Sequence, residues 1–235
     1  SKIRFTEPNR EILARRDSII NDLTRLVDPA GLITSTDECR AYETDALTAY
    51  RKMPLAVVLP KTTEEVSAVL KYCHDTGVKV VPRGAGTSLA GGAIPSEDAV
   101  VLGLSKMNRV LAVNYDDRFI RVEAGVTNLS VTAVVAENGF FYAPDPSSQL
   151  ACTIGGNIAN NSGGAHCLKY GVTTNNLLGV RMVLIDGSII DLGGDYLDSA
   201  GLDLLGLVVG SEGQLGIVTA ATLRILKSAE GARPV

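Results

Sequence analysis

The chain has no tryptophan, only two histidines and few aromatic residues. Two imidazoles are too few for a His-rich metal centre. No block of like charge occurs, and the net charge is −4, with the 22 Lys and Arg residues scattered. Nucleic acid is therefore a poor partner, because phosphate binding wants a concentrated basic footprint. Cysteine is also sparse. Cys39, Cys73, Cys152 and Cys167 show no C-x-x-C pair and no neighbouring His in a zinc register. Cys152 and Cys167 flank a glycine-rich stretch, so a disulfide between them is conceivable; reduced thiols in a cytoplasmic protein are the alternative. Apolar runs such as Leu204 to Val209 are too short to span a bilayer, and Ser1 to Arg16 is mixed and charged, unlike a secretion signal. The expectation is a soluble, cytoplasmic chain with no transmembrane segment.

What is abundant is glycine, 24 residues of 235, above the usual ~7%. With 46% hydrophobic residues the chain can bury a substantial core. Apolar spacing predicts a helix from Asn9 to Val27 and a short one from Thr36 to Tyr42, with an irregular link from Asp45 to Lys52. Leu55 to Leu59 reads as a buried strand. Thr62 and Glu65 form a capping box for a helix that runs to Thr76 and is closed by Gly77. Lys79 to Val81 completes a strand–helix–strand unit expected to pair in parallel. Strands follow at Val100 to Leu104, Val110 to Val113 and Arg118 to Glu123, then a helix from Thr127 to Asn138. Leu178 to Ile185 and Ser188 to Leu192 read as a hairpin across Asp186-Gly187, the type I′ dipeptide. Ile217 to Leu226 is the last strand. With no steady βαβ beat, the fold class is α+β.

Glycine concentrates in three loops. Pro82 to Gly92 (PRGAGTSLAGG) follows a strand, so its backbone N–H groups can converge on an anion, with Arg83, Thr87 and Ser88 adding charge and hydroxyls. A pyrophosphate fits; a plain inter-strand turn is the alternative. No Gly-Lys-Ser/Thr follows, which excludes a Walker loop. The third glycine of a dinucleotide fingerprint is also missing, which disfavours NAD binding. The second stretch, Ala143 to Ser148 and Thr153 to Gly164, is too polar for a core and too long for a simple turn. Its amides and hydroxyls could grip a flat heteroaromatic. The third is Gly210 to Thr219, readable alternatively as a surface turn with a solvated Glu212. His74 reads as a helical surface residue. His166 reads as a loop residue bonded to backbone, or as one facing a ligand.

Together PRGAGTSLAGG, PDPSS, TIGGNIANNSGG, KYGVT and GSEGQLGIVT, from Pro54 to Leu226, resemble the FAD-linked oxidase domain of the vanillyl-alcohol oxidase (PCMH-type) family. Within it the resemblance points to the FAD-binding subunit of glycolate oxidase and the D-lactate dehydrogenases. It implies two α+β subdomains with FAD extended between them. It divides the chain into a helical lead-in at 1–53, the FAD-binding domain at 54–226, and at 227–235 the start of a connection to a cap domain. By motif match, Pro82, Arg83, Gly84, Ala85, Gly86, Thr87, Ser88, Leu89 and Gly92 fall at the pyrophosphate. Pro144, Asp145, Pro146, Ser147, Thr153, Gly155, Gly156, Asn157, Asn160, Ser162 and Gly163 fall along the diphosphate and isoalloxazine. Glu212, Gly213 and Ile217 fall at the adenosine or ribityl portion. The first loop has no His, so FAD is expected to be non-covalent.

The implied reaction oxidises a 2-hydroxy acid to the 2-keto acid: the flavin accepts a hydride while a base takes the hydroxyl proton. That base, and the group that binds the substrate carboxylate, are expected in the cap, leaving this chain inactive alone and His166 the one catalytic candidate within it. Iron–sulfur and second flavin-domain subunits are the implied partners, with peripheral attachment to the inner face of the membrane through them. A non-catalytic FAD-binding or assembly module and an NADPH-dependent flavin reductase are the alternatives.

Overall fold

The computed structural model describes residues 6–196, 201–229 and 231. The chain divides into two compact units, Ser1–Lys106 with Leu184–Ser188, and Met107–Val183 with Ile189–Val235.

The first unit opens with α1 (Arg10–Ala14) and α2 (Arg16–Leu23), where sequence periodicity suggests a single helix. The break is at Arg15, whose N–H turns to the Ile12 carbonyl in a tightened turn. Ile12, Ile19 and Leu23 still share the buried face. β1 (Leu32–Ile33), α3 (Thr36–Cys39) and a 3₁₀ turn at Arg40–Tyr42 follow. Then come β2 (Ala56–Val58), α4 (Thr63–Thr76), β3 (Lys79–Arg83) and β4 (Ala99–Gly103). The sheet order is β1-β2-β4-β3. β2 and β3 run in the same direction, as the strand–helix–strand pattern predicts, but they do not pair. β4 lies between them, parallel to both. Its five residues are all buried, as befits an interior strand.

Helix α4 buries Val66, Val69, Leu70 and Cys73 at helical spacing. Each such aliphatic side chain contributes roughly 1.5–3 kcal/mol on full burial. Thr62 accepts the Glu65 N–H, as the capping box requires, but the Glu65 carboxylate reaches the Lys61 N–H at 2.6 Å rather than that of Thr62. Gly77 closes the helix in the left-handed region at φ +73°.

The second unit is built on an antiparallel sheet of order β5-β6-β10-β8-β9. Its strands are β5 (Val110–Asn114), β6 (Phe119–Glu123), β8 (Leu177–Val183), β9 (Ile189–Gly193) and β10 (Ile217–Arg224). α5 (Asn128–Val135) precedes β7 (Phe140–Phe141), which pairs with β11 (Leu226–Lys227). α6 (Ile154–Ala159), α7 (Cys167–Tyr170) and α8 (Leu204–Val208) are short. Val131, Val135, Ile154 and Ile158 from α5 and α6 are buried, as are Ile120, Val122, Met182 and Leu223 from the sheet. Glycine 139 ends the α5 segment at φ +75°, at the position the sequence predicts.

The β8–β9 hairpin forms, but its turn is not type I′. That geometry needs positive φ at both central residues, and here only Gly187 has it, at +87°. Gly187 N–H bonds the Leu184 carbonyl and Leu184 N–H bonds the Ser188 carbonyl, which makes a three-residue loop with a glycine bulge. The Asp186 carboxylate takes the Ser188 N–H and hydroxyl, which holds Asp186 out of the left-handed region. Among the described residues no helix is long and apolar enough to cross a membrane.

Candidate functional site

In the first unit the glycine loop leaves the end of β3 at Arg83. Its guanidinium donates to the Thr44 carbonyl at 2.7 Å and lies 5.5 Å from the centre of the Tyr42 ring. Burial lowers the pKa of Arg83, against the opposing influence of Tyr42 and Asp45. Gly86 sits at φ +72°, and a Cβ there would fall 2.2 Å from Arg83 Nη2. The loop is therefore folded flush over its own arginine, a placement only glycine allows. Ala46 N–H bonds the Ser88 carbonyl at 3.1 Å, and the Ser88 hydroxyl accepts the Ala90 N–H. Among the described residues, the N–H groups of Ala85, Gly86 and Thr87 find no acceptor. Amides without an internal acceptor beside a left-handed glycine are donors that an anion can use. Gly84 and Thr87 are half-buried, while Ala85, Leu89 and Gly92 are exposed.

The floor of this loop is a segment that sequence reasoning leaves as an irregular link. Asp45 there is only 4% exposed; one carboxylate oxygen takes the Leu47 N–H at 2.9 Å and the other has no partner. A lone acidic residue in an aperiodic stretch carries no sequence signal of burial.

In the second unit the predicted residues sort by exposure. Pro144, Pro146, Thr153, Asn157 and Ile217 are buried, while Ser147, Asn160 and Glu212 are exposed. Thr153 caps α6 by accepting the Gly156 N–H, and Asn160 Nδ2 returns to the Gly156 carbonyl. Gly155 packs against Ala124, where a Cβ would meet the Ala124 methyl at 2.9 Å. Asn157 is occupied internally. Its Oδ1 accepts from Asn128 at 2.9 Å, and its Nδ2 points to Cys152 Sγ at 3.3 Å. Sequence reading passes over Asn128, because its partners lie 16 and 29 residues away.

Asp145 organises the other end of this stretch. Its carboxylate accepts the His166 N–H at 3.2 Å and meets His166 Nδ1 at 2.6 Å. The imidazole is thus held by a side chain, not by backbone, and is 65% exposed. Gly164 lies against Asp145 so closely that a Cβ would fall 2.0 Å from the Asp145 carbonyl oxygen. Cys167 Sγ accepts the Gly164 N–H at 2.8 Å, and all four cysteines are free thiols. Burial pushes the Cys73 thiol up to about 12, so it is neutral at physiological pH. The third glycine stretch joins the second: Gly210 and Glu212 donate their N–H groups to the carbonyls of Ile158 and Ala159 at the end of α6. Glu212 adopts φ +54° and Gly213 +76°. A non-glycine residue in that region stores local strain.

Residues 54–193 match the family model described as FAD binding domain. The chain belongs to the FAD binding domain family. The residues present suit that cofactor, since the loop of the first unit offers amides without an internal acceptor beside a left-handed glycine, as a diphosphate requires. Among relatives, the glycolate oxidase subunit GlcD of Escherichia coli (strain K12) is 48% identical over 218 residues, covering 93% of this FAD binding domain chain and 44% of that protein. D-lactate dehydrogenase of Archaeoglobus fulgidus is 40% identical, covering 88% of this chain and 46% of that one. D-2-hydroxyglutarate dehydrogenase of Xanthomonas citri pv. viticola is 37% identical, covering 89% and 44%. The chain thus spans less than half the length of these curated relatives. The structure of alkyldihydroxyacetonephosphate synthase superposes with a TM-score of 0.82 over 98% of this chain and 43% of that one. At 23% identity, that likeness establishes the fold.

Proposed function

We propose that this chain is the FAD-binding part of a flavoprotein that oxidises 2-hydroxy acids to 2-keto acids. The observation that carries the reading is the first loop, where the amides of Ala85, Gly86 and Thr87 lack an internal acceptor beside a half-buried arginine. Residues 83–89, with Pro82 and Gly92 at their flanks, hold the diphosphate. Pro144 to Ser147, Gly156, Asn160 and Ser162-Gly163 border the ring system, with Thr153, Gly155 and Asn157 behind them. Glu212, Gly213 and Ile217 serve the adenosine or ribityl portion. The cofactor-binding part runs from Pro54 to Leu226, with 1–53 as a lead-in whose Tyr42–Leu47 stretch supports the first loop and 227–235 as a connecting segment. When bound, FAD supplies a two-electron acceptor for the substrate's α-carbon hydride.

The relatives' names share one substrate chemistry, a carboxylate with a hydroxyl on the adjacent carbon. That class is the substrate we assign, and iron–sulfur and second flavin-domain subunits are the partners. The free thiols support a cytoplasmic setting, at the inner membrane face through those partners.

The test is to purify and desalt the chain and record its visible spectrum. Flavin bands are expected, and acid precipitation should release all FAD into the supernatant, because the first loop offers no histidine for covalent attachment. A folded, colourless chain that refuses added FAD would sink the reading. Glycolate, D-lactate or D-2-hydroxyglutarate with an artificial acceptor should give no turnover from this chain alone. Turnover would instead place the base here, with His166 the first residue to replace. Oxidation of NADPH would favour a flavin reductase.

A further inference from the structure

Asn128 opens α5 and is 2% exposed. Its side-chain nitrogen donates twice, to the Pro144 carbonyl at 3.1 Å and to Asn157 Oδ1 at 2.9 Å. A carbonyl can only accept, so Pro144 fixes which end of the Asn128 amide faces it. That orientation requires Asn157 to present its oxygen, leaving its own NH₂ to meet Cys152 Sγ. The backbone repeats the link. Asn128 N–H bonds the Cys152 carbonyl at 2.9 Å, and Leu129 N–H bonds that of Gln149 at 3.1 Å. The Asn128 side chain therefore joins the loop at 144 to helix α6, while the backbone at 128–129 holds the turn at 149–152. A buried polar group with every donor used fixes a unique geometry, because leaving any one unpaired is costly.

The two segments tied by Asn128 are those assigned above to the flavin ring. We propose that Asn128 is a positioning residue for the bound flavin, setting Pro144–Ser147 and the first turn of α6 in the register that the ring requires. It does so through Pro144 and Asn157, without touching the cofactor. This inference rests on the cofactor reading above.

The experiment uses the purified chain with FAD. Asn128→Asp keeps the shape and removes both donors. It should weaken FAD binding at least tenfold and alter the absorption bands and midpoint potential of whatever flavin remains bound. Cys152→Ser, which replaces one acceptor with another at the far end of the network, should bind FAD within about twofold of wild type. Lower thermal stability in N128D with wild-type flavin affinity, spectrum and potential would mark a purely structural role and overturn the inference. If N128D binds FAD with unchanged affinity and spectrum, the inference is overturned while the cofactor reading stands. A wild-type chain that takes up no flavin overturns both. Should N128D fail to fold, Asn128→Ser, which keeps one donor of shorter reach, is scored by the same criteria. Wild-type affinity and spectrum there would also overturn the inference.

Discussion

Asp98 is 1% exposed, yet it carries three donors: the Lys79 ammonium at 2.8 Å, the Ser96 hydroxyl at 2.7 Å and the Asn9 N–H at 2.9 Å. Burial is the largest single influence and acts to raise its pKa, but the three donors together outweigh it and hold the carboxyl down at about 2. The folded value lies below the ordinary 3.8, so the stabilisation is complete above about pH 4 and is lost as pH falls through 2. A shift of that size is worth about 2 kcal/mol. Asn replacing Asp98 should lower the unfolding free energy from urea titration at pH 7 by that order, with the gap to wild type closing near pH 2. Gly86→Ala makes a sharper test of the site. The methyl would collide with Arg83 Nη2 and the alanine would be held at positive φ, so a loss of roughly 1–3 kcal/mol and of FAD binding is expected. Calorimetry with a flavin titration would measure both. Glycine density made this loop legible in the sequence. Asn128 was not legible, because its partners lie 16 and 29 residues away, and Asp45 was not, because nothing in its aperiodic stretch signals burial.

At the level of elements, most boundaries follow from local chemistry. Thr62 and Gly77 bracket α4, and Gly139 closes the α5 segment, where sequence reading places them. Two features depend on the tertiary setting. The place of β4 between β2 and β3 is one, because pattern along the chain does not encode sheet order. The β8–β9 turn is decided by α4: Ser67 donates its hydroxyl to the Gly187 carbonyl at 2.5 Å, and a Cβ on Gly187 would meet Lys71 Cβ and the Ser67 carbonyl at 2.9 Å. Gly187→Ala should therefore cost about 1–3 kcal/mol, more than an exposed turn would lose. Asp186→Asn, which keeps the acceptor for Ser188, should cost less than 1 kcal/mol. Thermal melts of the pair would show whether the contact with α4, and not the turn alone, sets the penalty.

For the molecule as a whole, family membership and fold agree with the motif order along the chain, and the fold extends to a protein of only 23% identity. The first loop has one further consequence, which concerns ionic strength. Its arginine is turned inward to Thr44 and Tyr42, and its free groups are neutral amides. A diphosphate seated there is held by short-range dipoles, which dissolved ions screen far less than they screen exposed charge pairs. The chain also carries a net charge of −4, which repels an anionic cofactor at a distance. Raising sodium chloride from 50 to 500 mM should therefore leave FAD affinity within about threefold and slightly quicken its uptake, measured by stopped-flow fluorescence. A loop that worked through an exposed basic side chain would shed its cofactor under the same conditions.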